Sequence, residues 1–294
     1  TIGLALNKEA EKNNTIVTVG DGDEPVAAVE LFNFAKEISL DVIAIGKGKN
    51  NPFDVFKTPK DLEKEALKKN MNPYMLTSFV DGSKTMIEMA ALANYLDFNI
   101  DTDGMHGPSS TYDELNSIFI PKSSGGILEK TNIVDFAFGV APGVFAIVYS
   151  EDDYVNYEME YLKMGKGPYW TLYRPYHLTS LEIPRTIMKL MVDKETQLSA
   201  KKWNVEVVAH SKKDLKAGTN LGSIGGENIY GKAMRVENSK NLAPLGLSEN
   251  NILNSDVKKG DPIEIKNIDI TDNQLYKYWP CLLYTSDAAD ESLC

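Results

Sequence analysis

Apolar positions recur with helical period through "EPVAAVELFNFAKEI" (24–38), where Ala27, Leu31, Phe34, Ala35 and Ile38 fall at i, i+4, i+7, i+8 and i+11. That spacing predicts one stripe of an amphipathic helix. Before it, "TIVTVGDGDEP" (Thr15–Pro25) is a β-rich run broken by glycines and acids; after it, "DVIAIGKGKNNP" is a nearly continuous apolar strand that stops at glycine and lysine. Strand, helix and strand within about 30 residues read as a βαβ unit, and all-apolar strands suit a parallel sheet covered on both faces. Ligands of open α/β sheets gather beyond the carboxyl ends of the strands, here Gly20–Glu24 and Gly46–Asn50.

Further along, "TPKDLEKEALKKN" opens with Thr58 as N-cap, Pro59 at the first helical position and Asp61 three residues after the cap, a helix start. "SKTMIEMAALANYL" (Ser83–Leu96) is apolar around most of its circumference, which predicts a buried helix. Thr111 with Glu114 repeats the capping pattern, and "IPRTIMKLMV" reads as a short helix started by Pro184. "VDFAFG" and "VFAIVYS" flank "VAPG" and read as a hairpin or as adjacent strands. From Val205 the texture changes to short apolar runs among many glycines and asparagines, which marks a separate small β-rich domain.

Composition narrows the class. The chain has 294 residues, 43% hydrophobic and 25% charged, enough for two or three packed domains. Its formal charge of -11 argues against nucleic acid or a membrane surface as partner, since phosphate binding needs a basic face. No apolar run reaches the length of a bilayer span. "CLLYTSDAADE" (Cys281–Glu291) shares no pattern with what precedes it and reads as a translated sequencing adapter. Without that tail both cysteines (Cys281 and Cys294) vanish, and loss of Asp287, Asp290 and Glu291 brings the charge to -11 + 3 = -8. A cysteine-free segment fits a reducing compartment, so a cytoplasmic protein is expected. The chain begins without Met, and "TIGLALNKEAEKNN" reads as the later part of a helix, so an internal fragment is expected.

Five groups of residues carry candidate chemistry. Asp81, Lys84 and Glu88 in "VDGSKTMIEMAAL" fall at i, i+3 and i+7, one face of a helix that is otherwise apolar. A lysine held there can move a proton or polarise a substrate oxygen, whereas the bland alternative is a Lys–Glu pair at a half-exposed helix end. His106, in the loop "DTDGMHGP", is a candidate acid/base or substrate contact. At the strand ends, Gly46, Lys47, Lys49 and Asn50 could meet a nicotinamide ribose, a substrate phosphate or both, with a surface turn as the alternative. Gly20 and Asp21 lie in an acidic loop that is a poor phosphate cradle; it can accept from ribose hydroxyls, bind a cation, or cap the next helix through Asp23. Finally "YLKMGKGPYWTLYRPYHLTSLE" (Tyr161–Glu182) concentrates Lys163, Lys166, Arg174, His177 and Glu182 among aromatics. In an acidic chain this irregular basic segment is the best candidate for gripping an anionic substrate.

With "GDGDEP", "GKGKNNP", "SFVDGSKTMIEM", "MHGP", "VDFAFGVAPGVF" and "YLKMGKGPYWTLYRPYHL" in order, Thr1 to about Ile270 resembles NAD(P)-dependent oxidoreductases related to homoserine dehydrogenase that carry a C-terminal SAF domain. One branch comprises the 1-deoxy-D-xylulose-5-phosphate reductoisomerase-like enzymes. The resemblance implies α/β plus α+β architecture: part of a Rossmann dinucleotide-binding domain (1–72), a central α+β catalytic domain (73–195) and a small β-rich SAF-like domain (196–280), with 281–294 as the adapter. It also implies NADP or NAD as cofactor, with Lys84 similar in position to the family's catalytic lysine, although the spacing to Asp81 differs. "GKGKN" matches the place where homoserine dehydrogenases carry a lysine near the nicotinamide. No G-x-G-x-x-G follows a strand near the start.

The expectation is therefore an NAD(P)-dependent dehydrogenase or reductoisomerase acting on a small polar, phosphorylated or carboxylated substrate. Lys84 would handle the proton with Asp81 or Glu88, Arg174, His177 and Lys163 would hold the anionic end, and Lys47 and Lys49 would lie near the cofactor. Isomeroreduction would add a divalent cation, for which Asp81, Glu88 and Asp21 are the weak candidates. A homoserine dehydrogenase-type reaction is the alternative within enzymes, a non-catalytic sugar-acid or metabolite-binding protein the alternative outside them, and a homo-oligomer is compatible with either.

Overall fold

The computed structural model describes residues 2–269 and 274–279; the adapter-like tail and both cysteines lie outside them. The helices in chain order are α1 (Gly3–Lys12), α2 (Glu24–Glu37), α3 (Pro59–Lys68), α4 (Pro73–Val80), α5 (Ser83–Leu96), α6 (Leu115–Ile118), α7 (Asp153–Tyr161), α8 (Ile183–Val192), α9 (Val236–Ser239) and α10 (Leu245–Ser248). The strands are β1 (Asp41–Lys49), β2 (Ile133–Phe138), β3 (Val144–Tyr149), β4 (Tyr169–Arg174), β5 (Val205–Ser211) and β6 (Ile229–Arg235). The described residues form two compact units, each from non-consecutive segments: one from 2–15, 51–90, 202–269 and 274–279, the other from 16–50 and 91–201. Among the described residues no helix is long and apolar enough to cross a membrane.

The unit built from 16–50 and 91–201 holds a four-stranded mixed sheet in the order β2-β1-β3-β4. β1 is its centre, parallel to β2 with Gly46 opposite Asp135, and antiparallel to β3 with Lys47 opposite Val144. "VDFAFG" and "VFAIVYS" thus form neither a hairpin nor an adjacent pair: β1 lies between them. Its side chains from Val42 to Lys49 are all buried, so it can accept a strand on either side. The β-branched run Thr15–Gly20 forms no strand, which removes the first strand of the expected βαβ unit. Its Val19 amide donates to the Leu198 carbonyl.

α2 spans the predicted residues and buries Ala27 and Ala35 of the predicted stripe, but not Phe34 or Ile38. Val26, Ala27, Ala28, Val29 and Ala35 are buried, whereas Phe34 is 49% exposed. The small residues let the helix lie close over β1 and β3, and that proximity outweighs the burial of one larger side chain. On the sheet, Ala44, Ile133, Ala137, Phe145 and Ile147 join Leu115, Phe119 and Leu128 in one apolar cluster, with the rings of Phe119 and Phe145 stacked at 5.0 Å.

In the other unit α3 begins as its sequence predicts, with Thr58 and Asp61 forming a capping box, and it packs through Leu62 and Ala66 against Leu76 and Val80 of α4. β5 and β6 pair antiparallel, and the chain after them returns through isolated bridges such as Val208–Pro244, His210–Pro262 and Leu215–Val257. This is the β-rich, turn-laden texture read from the sequence. A third cluster gathers Ile2, Ala5, Leu247 and Trp279.

Candidate active-site clusters

Asp81, Lys84 and Glu88 do not act as one triplet. Asp81 follows α4 with a carboxylate that is 0% exposed; it accepts the Ser83 amide at 2.8 Å and pairs with the Lys212 amine at 2.8 Å. That amine, 1% exposed, also donates to the carbonyls of Lys57 (2.7 Å) and Gly226 (2.8 Å). Burial pushes its pKa down, and the Asp81 charge opposes that. Lys84, the second residue of α5, pairs instead with Glu88; the lysine is 38% exposed and the glutamate 6%. The Lys84 amine sits 5.4 Å from the Phe79 ring centroid and lines an open cavity of about 340 Å³ with Asn72, Met75, Ser78 and Ile224. Lys212 went unnoticed in the sequence, where "SKKDLK" looks like a solvated basic run.

The basic stretch Tyr161–Glu182 is not one irregular loop. Its middle, Tyr169–Arg174, is strand β4 at the sheet edge. Lys163 and Lys166 are exposed in the turn before it, while Arg174 and His177 lie at its far end. Five residue rises along a strand separate the two groups by about 17 Å, too far for one small anion. Arg174 directs its two terminal nitrogens to Glu30 and Glu182, each at 2.5 Å. Arg185 pairs with the same two acids, and Lys189 with Asp21 at 2.5 Å. Asp21 also accepts from the Thr186 hydroxyl at 2.7 Å. Burial works to raise the Glu182 pKa, but bonds from Arg174, the Leu178 amide and Arg185 outweigh it and hold that carboxyl below its ordinary value. The cations here are met by the chain's own acids.

At the carboxyl end of β1, Lys47 and Lys49 are both buried and, two residues apart, share a face of the strand. Lys47 pairs with Glu24 at 2.8 Å, and His177 Nε2 lies 3.5 Å from the same carboxylate. The His177 Nδ1 meets the Gly22 carbonyl at 3.0 Å, which the Thr179 hydroxyl also bonds at 2.9 Å. Gly22 has φ +89°, and a Cβ there would come within 2.7 Å of the Leu178 carbonyl, so only glycine lets the two loops touch. Asp23 takes the N-cap position of α2 without a side-chain capping bond. Lys47 and His177 thus meet at the Glu24 carboxylate, with the buried Lys49 on the same face of the strand.

The candidate cofactor glycines are occupied by the protein itself. A Cβ on Gly46 would meet the Asp135 carbonyl oxygen at 1.9 Å, and one on Gly20 the Ile183 side chain at 2.5 Å. Asn50 is exposed after β1. Among the described residues no glycine-rich strand-to-helix turn offers a pyrophosphate cradle, so they do not fit that part of a dinucleotide.

A last cluster stands on the β2 edge. Asp135, a lone acid in the apolar run "IVDFAF", is buried and accepts the backbone amides of His106 and Gly107, each at 3.0 Å. Burial raises its pKa to about 6 against these bonds. The His106 ring bonds Asp101 through Nε2 at 2.9 Å. A charged residue interrupting an apolar strand was the sequence signal for Asp135, and it was overlooked.

A family model described as "Oxidoreductase DRL, catalytic domain" matches residues 22–183. No curated protein matches the chain. The matched span covers more than half of the 294 residues and contains the whole four-stranded sheet with its Lys47, His106 and His177 clusters, so the chain belongs to the DRL oxidoreductase family, matched through its catalytic domain.

Proposed function

We propose that this oxidoreductase acts on a small polar substrate bearing a phosphate or carboxylate, with NADP or NAD as the hydride partner. The observation that carries the substrate class is the pair of buried lysines at the carboxyl end of β1, with His177 sharing the Glu24 carboxylate. Amines held out of bulk water attract an anionic ligand group more strongly than solvated ones do. Lys47 and Lys49, with His177, would hold that group. Arg174 is a weaker candidate, because Glu30 and Glu182 already take both of its terminal nitrogens. His106 would meet the substrate through its ring. Lys84, held by Glu88, is the amine proposed for proton transfer.

The nicotinamide partner rests on the resemblance to NAD(P)-dependent enzymes, and a bound cofactor would supply the hydride chemistry. The residues described here offer no pyrophosphate cradle. The test is a titration of the chain with NADPH and NADH by fluorescence, then turnover of phosphorylated and carboxylated hydroxy compounds followed at 340 nm, the reduced nicotinamide absorption band. Turnover confined to anionic substrates, with KM raised about tenfold or more in Lys47→Ala, is the expected result. Binding of neither cofactor, or equal turnover of neutral analogues, would overturn the reading. A metabolite-binding protein without chemistry would instead bind the anion and leave the cofactor unchanged.

A further inference from the structure

The edge of β2 is built in an unusual way. Asn99 bridges Ile133 and Ser109 bridges Phe138, both parallel, so the chain advances 109 − 99 = 10 residues while β2 advances 138 − 133 = 5. The surplus is thrown out as a loop carrying His106. At its base the Asp135 carboxylate takes the amides of His106 and Gly107, acceptors that a continuous strand would have supplied from its backbone. The loop holds Gly104, Met105 and Gly107 at φ +88°, +64° and +54°, and Met105 is not a residue that adopts this region without cost.

At the rim of the same loop Asp101 is 3% exposed and His106 26%. Asp101 is fixed from behind by the Glu129 amide, 3.1 Å from Oδ2 and 3.2 Å from Oδ1, and it meets the ring at Nε2. A carboxylate can only accept, so a neutral ring must carry its proton on Nε2. Its Nδ1 then presents a lone pair, and among the described residues nothing occupies it. We propose that Asp101 is a positioning residue: it fixes His106 in the Nε2–H form, so that Nδ1 accepts a hydrogen bond from a substrate hydroxyl while Asp135 holds the loop in place. This rests on the reading of His106 as a substrate contact.

The test is Asp101→Asn in the full chain. Its amide oxygen would keep the Glu129 contact and its NH₂ would face the ring, which should move the neutral imidazole proton from Nε2 to Nδ1. Nitrogen-15 NMR reads the tautomer directly, and with three histidines in the chain His106→Gln assigns the signal. Expected are Nε2–H in the wild type, Nδ1–H in Asp101→Asn, and a fall in kcat of about 100-fold with KM within about twofold. Asp101→Ala, should Asn fail to fold, is expected to lower kcat to the same degree. An unchanged tautomer in Asp101→Asn, or a switched tautomer with unchanged kcat, would overturn the positioning role. Absence of turnover in the wild type would strike the oxidoreductase reading of this chain instead, while the tautomer result would still decide what Asp101 does to the ring.

Discussion

Two lysine–carboxylate pairs, whose first members Asp81 and Lys84 are three residues apart in the chain, differ in almost everything that matters. Asp81–Lys212 is sealed: both side chains are out of water, and the ammonium lies beside one carboxylate and donates to two carbonyls. Lys84–Glu88 is half open, its carboxylate buried and its amine lining a cavity. A closed pair can hold a fold together but has no proton to trade; an open one adds little stability and keeps an amine within reach of a ligand. Sequence spacing made Asp81, Lys84 and Glu88 look equivalent, and burial separates them.

The strongest way to break this contrast is Lys212→Ala. It strands the Asp81 carboxylate in the interior and should cost about 3–5 kcal/mol in chemical denaturation, part of which a second change, Asp81→Asn, should restore. A loss below about 1 kcal/mol would mean that the pair is not sealed.

Asp135 sharpens the contrast from another side, as a buried acid without a cation. Its folded pKa of about 6 exceeds the ordinary value of 3.8, so between those limits the folded state binds the extra proton. The stability it contributes is fully present below about pH 4 and is lost as pH rises through about 6, by up to roughly 3 kcal/mol. Compared with Asp135→Asn, which does not titrate, the wild type should therefore lose relative stability from pH 4 to 7. A gap independent of pH would show that the carboxyl is ionised throughout.

Lys84→Ala should lower turnover about 100-fold, equivalent to some 2.7 kcal/mol on the barrier, while unfolding free energy falls by about 1–2 kcal/mol because the buried Glu88 carboxylate loses this partner. Turnover at the wild-type level would return Lys84 to an ordinary helix-end pair. The smallest expected effect is Gly107→Ala. It forces a left-handed alanine whose Cβ would lie 2.3 Å from the Phe136 ring, costing about 1–2 kcal/mol and loosening the His106 loop. A variant as stable as the wild type would show that the loop relaxes freely.

Much of the local structure could be read in advance. Thr58 with Asp61 and Thr111 with Glu114 form their capping boxes, although the second opens a 3₁₀ turn rather than a longer helix. α8 starts at Ile183 with Pro184 in its first turn. These signals are legible because each is a contact between residues within a turn of one another. The candidate site was less so. Arg174 reads as an anion grip until Glu30, 144 residues away, appears beside it. Of the α2 stripe only Ala27 and Ala35 are buried, because periodicity cannot tell whether a sheet will prefer a large side chain or a close approach.

The amino-acid sequence by itself determined α2, α3, α5 and α8, the capping boxes at Thr58 and Thr111, the central apolar strand and the chemistry available: lysines at a strand end, a histidine among glycines, a basic stretch in an acidic chain. Tertiary structure alone decided which charges neutralise one another and which nitrogen of His106 is left to accept a hydrogen bond. The reason is physical. Helix propensity and capping act over a few residues, whereas the energy of a charge depends on burial and on partners that the fold brings from more than a hundred residues away.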